Sequence, residues 1–399
     1  MIGGLKSVSR AALVAGAVSL GSFGAHAADF GGNCCADLEE RVAELEATTA
    51  RKGNRVMSLT ISGQVGAQVI WHDSDAEDAY RADEITIDGD EGEYTSSLTF
   101  SGEAKVSSDL AIGFKMDFDV DDDTTVATDD LFLFVRSATL GAVQLGRIDA
   151  ASDGVHAISL GGVIGQMSAT EAGAFVGDGF LLPTNFDGDD ADPGIKYISP
   201  TIAGFIFSAS FQNAAVATDE EDERWSVALR YAGEFGPIRI AAGIGYEEQD
   251  DAIDDNSILV EDTEWVVAGS IMHTPTGLFL NAAYGEFERD SAVATEEIED
   301  SGWSITAGIE QKFFAVGKTS IYGKFQRRDR DLNGGDVVSL TSDNFGFGII
   351  QDVDAAASQL YVKWDQYECV GVAIAGLGLD GDTCVDDVNV VSAGMLVKF

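Results

Sequence analysis

No apolar run in this sequence reaches the roughly 20 residues that a membrane-spanning helix needs. The longest candidate, Ala11 to Phe23, is too short. Any crossing of a bilayer must therefore use strands that pair with one another, because hydrocarbon does not tolerate unpaired backbone groups. Positive charge is also scarce: 24 Lys and Arg stand against 68 Asp and Glu, for a net charge of −44. That imbalance excludes a nucleic-acid partner on electrostatic grounds. Only 5 prolines occur, and all avoid the interiors of candidate strands, as the missing ladder donor requires. Histidine is rarer still, with 4 residues, of which His72, His156 and His273 lie beyond the leader. Each falls in a loop or at a strand end, which is poor material for a Ser/His catalytic group and argues against an enzyme. Cysteine is limited to 4 residues, none with metal-ligand spacing.

What is present points to export. Lys6 and Arg10, the apolar segment and Ala25-His26-Ala27 form a secretory signal over residues 1–27, with cleavage after Ala27. The following segment, residues 28–57, has a different period. Cys35, Leu38, Val42, Leu45 and Thr49 recur at spacings of three and four, the seam of a short coiled-coil-like helix. At about two heptads it cannot hold alone, and a solvated amphipathic leader is the alternative. Cys34 and Cys35 are adjacent, so a bridge between them would be strained, whereas Cys369 and Cys384 flank a Gly- and Asp-rich stretch and are candidates for a disulfide.

From residue 58 to residue 399 the period is two. Leu59, Ile61, Val65, Ala67, Val69 and Trp71 alternate with Ser58, Thr60, Ser62, Gln64 and Gln68. The chain closes in the same way, with Val391, Ala393, Met395, Val397 and Phe399 on one face and Lys398 on the other. One face of each strand is apolar and the other is wet, the pattern of a transmembrane β-barrel. About sixteen such strands are predicted, the even number that an up-and-down barrel requires. Leu131–Arg136 is apolar on both faces, which marks a subunit contact. Trp71, Trp225, Tyr231, Tyr246, Trp265, Tyr284, Trp303 and Trp364 fall near strand ends on the outward face, as interfacial girdles do, unless they are ordinary strand aromatics. Short connections alternate with long ones, near 73–92, 121–129, 148–193, 213–223, 248–263, 287–301, 328–343 and 367–387. Acidic runs such as Asp117-Asp119-Asp121-Asp122-Asp123 fall mainly into the connections, although Asp117 and Asp119 alternate with Ile112, Phe114, Met116 and Phe118 on the third strand beside Lys115.

The third long loop, 148–193, contains no Lys or Arg but carries Asp149, Asp153, Glu171, Asp178, Asp187, Asp189, Asp190 and Asp192. A sixteen-stranded barrel encloses an aqueous lumen, and a loop of this length folded inside it would narrow it. Lys105, Lys115, Lys196, Arg230, Arg239, Lys324 and Lys363 occupy inward strand positions, with Arg136 and Arg147 flanking the loop. The expectation is an acidic loop opposed to a basic wall across a constriction, producing a transverse field that favours hydrated solutes. The alternative is a loop on the surface with its acids solvated. No dedicated metal site is expected, and no cofactor, although acidic loops beside anionic lipopolysaccharide would bind Ca²⁺ or Mg²⁺ weakly.

Several blocks resemble one family. Cys34-Cys35-Ala36-Asp37-Leu38-Glu39-Glu40-Arg41-Val42-Ala43-Glu44-Leu45-Glu46, followed by Thr60-Ile61-Ser62-Gly63-Gln64-Val65, resembles the mature amino-terminus of alphaproteobacterial general porins. Gly141–Arg147 resembles the strand that enters their constriction loop, and Ile195–Pro200 with Ala203-Gly204-Phe205 is similar to the turn that leaves it. The resemblance implies a sixteen-stranded homotrimeric outer-membrane porin for ions and small hydrophilic solutes, with Phe399 as assembly signal and Arg147 on the barrel wall beside the eyelet. Cation preference would follow from the acidic loop. A structural envelope tether with incidental conduction, or a substrate-specific channel, remains as an alternative reading of the same residues.

Overall fold

A computed structural model describes residues 57–73, 84–88, 96–120, 126–163, 180–181, 186, 191–215, 221–253, 259–291, 297–334, 336–368, 370–372, 384–385 and 388–399. The signal peptide, the heptad segment, Cys369, Glu171, Asp178, Asp187 and Asp189 lie outside these residues. Among the described residues sixteen antiparallel strands form a closed barrel, and a short further strand, Glu84–Asp88, pairs in the same sheet with Gln68–His72. In chain order they are β1 (Ser58–Asp73), β2 (Ser96–Lys105), β3 (Leu110–Val120), β4 (Val126–Ser137), β5 (Gly141–Ile148), β6 (Asp192–Ile198), β7 (Phe205–Ala215) and β8 (Glu221–Phe235). They continue as β9 (Ile238–Ile253), β10 (Leu259–His273), β11 (Leu278–Ser291), β12 (Glu297–Phe314), β13 (Gly317–Gly334), β14 (Asp336–Val353), β15 (Ser358–Glu368) and β16 (Val388–Lys398). Each strand pairs with the next. Closure is made by β1, whose first half pairs with β2 and whose second half pairs with β16 from Gln64↔Lys398 to Asp73↔Asn389.

The two faces of this sheet are inverted relative to a water-soluble protein. Leu133 is 62% exposed on the outside, and Ile61, Val65, Leu131, Val135, Phe207, Phe211 and Ile244 are exposed with it. Gln68, Asp117, Gln212, Ser226, Asn281, Thr306 and Lys324 are buried on the inside. Only a surface that meets hydrocarbon outside and a polar space inside makes sense of that sorting. The outer aromatics form a near-continuous belt: Trp225 stacks against Tyr246 and Trp265 against Tyr284, each pair at 5.2 Å, while Phe325 lies between Trp303 and Phe345 at 5.0 and 4.6 Å.

Tight turns occupy one rim. At the β10–β11 turn, Gly277 has a φ of 68°, and a Cβ there would stand 1.9 Å from the Glu310 carbonyl oxygen, so a side chain is excluded. On the opposite rim three connections expected to be long are mostly strand. β9 runs to Ile253 before β10 resumes at Leu259, β11 to Ser291 before β12 begins at Glu297, and β13 and β14 are separated by one residue. These extensions carry mostly polar residues on both faces, so apolar alternation fades although pairing continues. Cross-strand forks replace it: Arg289 Nε donates to Asp262 Oδ1, Arg330 Nε to Asp300 Oδ1, and Arg327 Nε to Asp343 Oδ1, all at 2.7 Å and each between directly paired residues.

Candidate functional site: the inner wall and the third loop

After Ile148 the chain turns into the barrel and follows the inner wall across successive strands. Gln212 Nε2 on β7 donates to the Ile148 carbonyl at 2.7 Å. The Ala151 amide donates to Ser210 Oγ on β7 at 2.9 Å and to Ser226 Oγ on β8 at 2.6 Å. Ser152 Oγ donates to Glu247 Oε2 on β9 at 2.6 Å, and the Leu160 amide to Ser270 Oγ on β10 at 2.9 Å. Asn281 Nδ2 on β11 donates to Ser159 Oγ at 2.8 Å, and the Gly162 amide to Glu310 Oε2 on β12 at 3.1 Å. Six consecutive strands thus each supply a side chain to the loop. A segment with so many backbone groups withdrawn from water needs those partners.

The wall is carved to receive it. Val155 and Phe186, both fully buried, pack against Ala228, Val266, Ala268 and Ala283, with Ile158 and Phe287 at the edge. A Cβ on Gly285 would meet the Phe186 ring at 2.5 Å, and one on Gly243 would meet Ile158 Cδ1 at 2.6 Å. Small residues on the inward parity of β8–β11 therefore leave the volume that the loop fills. This excludes a surface course for residues 149–163. Burial, followed by the Arg328 guanidinium, pushes the His156 imidazole in this segment down to about 3. Beyond it, Phe180–Leu181 pairs with Val370–Val372, which also pairs with Cys384–Val385, so the third loop and the last loop share a small sheet.

The basic residues divide into three groups. Lys196 Nζ donates to the Asp149 and Ala150 carbonyls at 3.2 and 3.0 Å, and Arg230 Nη1 to the Ala151 carbonyl at 3.0 Å. These cations anchor the loop by direct contact instead of facing it across a gap, and Asp149 and Asp153 lie beside them. Lys105, Arg136 and Arg239 hold inward positions at the short-turn rim, where Arg136 pairs with Glu103 and Arg239 with Glu234 at 2.6 Å. Lys324 is buried mid-wall, 2.9 Å from Asp365. Arg147 departs from expectation. Its register with Leu131 and Pro193 puts it on the outward parity of Val143 and Leu145, where Nε donates to the Asp129 carbonyl at 3.1 Å.

The principal acids of the described wall are not among the expected site residues, although Asp117 and Asp119 alternate with Ile112, Phe114, Met116 and Phe118 beside Lys115. Asp117 and Asp119 lie within β3 and Asp129 and Asp130 within β4, all buried and none in a connection. A bulge opposes Asp129 and Asp130 to Asp117 alone, which turns two successive carboxylates inward. Lys115 bonds Asp130 at 2.7 Å and Asp117 at 3.2 Å. The parity of Asp117 and Asp119 with Lys115 was the available signal. The bulge left none, because it breaks the alternation by which facing is read.

A barrel with a polar interior, an aromatic-belted apolar exterior and a loop docked along its lumen defines an outer-membrane channel. The Gram-negative porin family model matches residues 11–368, and the chain belongs to that family. It is accordingly a bacterial outer-membrane protein. Among solved structures, an anion-selective porin from Comamonas acidovorans superposes with a TM-score of 0.62 at 15% identity, covering 86% of this chain and 100% of that one. The trimer form of OmpT, an outer membrane protein of Vibrio cholerae, gives 0.59 at 16% identity over 86% and 100%. Salmonella typhi OmpF in complex with daunomycin gives 0.55 at 11% identity over 88% and 100%. No curated protein matches the sequence. The histidines weighed for catalysis have structural places: His156 is buried in the docked loop, and His273 Nδ1 pairs with Thr276 Oγ1 at 2.8 Å in a turn.

Proposed function

We propose that the protein is a passive, homotrimeric porin that conducts ions and small hydrophilic solutes with a modest preference for cations. The observation that carries this reading is the composition of the inner wall between β3 and β4. Four buried carboxylates, Asp117, Asp119, Asp129 and Asp130, stand with one half-buried lysine, Lys115. Such a wall lowers the energy of a passing cation and raises that of an anion. The docked loop supports a narrowed passage, since it occupies one side of the lumen. Loop acids beyond residue 163 would add to the same field.

Trimerisation is supported by a gap in the outer belt. No Trp or Tyr occurs between Tyr94 and Tyr197, so β2–β5 present Ile112, Leu131, Leu133, Val135 and Leu145 without an amphipathic ring. A face that meets another subunit needs no anchor at the lipid interface. The remaining faces meet outer-membrane lipid and lipopolysaccharide. The amino-terminal block 34–46 supports placement with the alphaproteobacterial general porins.

The test is the reversal potential of the purified trimer in a planar bilayer under a KCl gradient. The sign is expected to report more K⁺ than Cl⁻ permeability, and substitution of Asp117 and Asp130 by Asn should move it toward zero. Anion selectivity in the unmodified protein would refute the preference.

A further inference from the structure

We propose that Asp117, Asp129 and Asp130 form a divalent-cation site in the lumen wall, one that takes Ca²⁺ in preference to softer ions. One carboxylate oxygen from each residue lies within 4.8 Å of the other two, and all three residues are buried. Hard oxygen donors at that separation suit Ca²⁺, which holds six to eight oxygens at about 2.3–2.6 Å and tolerates irregular geometry.

The second observation is an unmet need at Asp130. The residue is 3% exposed; its Oδ2 accepts from Lys115 Nζ at 2.7 Å, while its Oδ1 is shielded from solvent and has no hydrogen-bond partner. A buried carboxylate oxygen without a donor is costly. Of the other two carboxylates, Asp117 already shares Lys115 and accepts from Thr99 Oγ1 at 2.8 Å. Asp117 and Asp130 thus share one ammonium, and Asp130 Oδ1 is left without a donor. A dication held by the three carboxylates would give Asp130 Oδ1 the partner it lacks.

The bulge gives the arrangement its cause. Regular pairing would send Asp129 and Asp130 to opposite faces, whereas the register shift opposite Asp117 buries both. The site is distinct from weak binding at acidic loops, because its ligands sit on two paired strands of the wall.

Lys115 sits where it must compete with the ion, and that competition supplies the test. Calcium binding to the detergent-purified, folded trimer would be followed by isothermal titration after chelator treatment. Heat-modifiable gel migration reports that each variant barrel is intact. The wild type should show one site per chain tighter than the loop background. Asp129→Asn/Asp130→Asn should lose that site, with affinity falling at least about tenfold. Lys115→Gln leaves the triad whole and should bind Ca²⁺ several-fold more tightly, since a competing charge is gone. Titrations of wild type and double variant that coincide would overturn the proposal, as would a Lys115→Gln protein that binds Ca²⁺ no better than wild type. Binding is read without conduction, so the outcome is independent of ion preference.

Discussion

Strands β8–β14 carry aromatic rings outside and receive the third loop inside, whereas β2–β5 carry no Trp or Tyr outside and a knot of carboxylates inside. On the first wall, glycine, alanine and serine face the lumen, and they are small because Val155, Ile158 and Phe186 fill the space above them. On the second, Asp117, Asp119, Asp129 and Asp130 turn inward and are buried in the wall. One side of the barrel is shaped to hold chain and the other to present charge. The same asymmetry appears outside, where the belt from Trp225 to Phe345 marks the lipid-facing wall.

The contrast can be broken most severely by removing what the first wall holds. Deleting residues 155–185 should leave the barrel closed, because none of the described residues in that span belongs to a barrel strand, and should raise single-channel conductance roughly twofold or more. Unchanged conductance would mean that the docked segment does not narrow the passage. A milder break targets one side chain. Phe186→Ala removes a fully buried ring from the Ala228, Val266, Ala268 and Ala283 surface and should cost about 3–5 kcal/mol of loop docking. Limited proteolysis checks it: the loop should be cut while the barrel core stays resistant.

A smaller effect comes from pH. The folded protein holds His156 neutral, with a value pushed down to about 3 by burial and by Arg328. Released, the imidazole would protonate near 6.5. Docking is thus at full strength above that value and weakens progressively as pH falls from about 6.5 toward 3, because only the undocked loop binds the proton. Protease protection should drop between pH 7.5 and pH 5, and His156→Asn should flatten that dependence. A variant that retains the wild-type profile would assign the effect to other groups.

Much of this was legible in the sequence, and the failures have a common cause. Every barrel strand was visible where a side chain meets either hydrocarbon or water, as in Val391–Phe399 or Leu59–Trp71. Alternation disappears where both faces are mostly polar, so Arg328–Gly334 read as loop although it continues β13. Facing was misread where parity is broken or a strand ends, at the Asp129-Asp130 bulge and at Arg147. The loop's docking was foreseen from its length, but its hydroxyl partners were not. Ser210, Ser226 and Ser270 look like any wet-face serine until a second segment comes to lie on them.

Everything rests on adjacent residues of one strand meeting different solvents. Gln144 shares the lumen parity of Lys196 and Phe134, and Leu145, its neighbour, is 60% exposed on the outer face. In a background free of native cysteines and reconstituted in lipid, Gln144→Cys should react with a charged, membrane-impermeant thiol reagent, and Leu145→Cys should not. Equal labelling of both positions, or labelling of Leu145→Cys alone, would contradict the account.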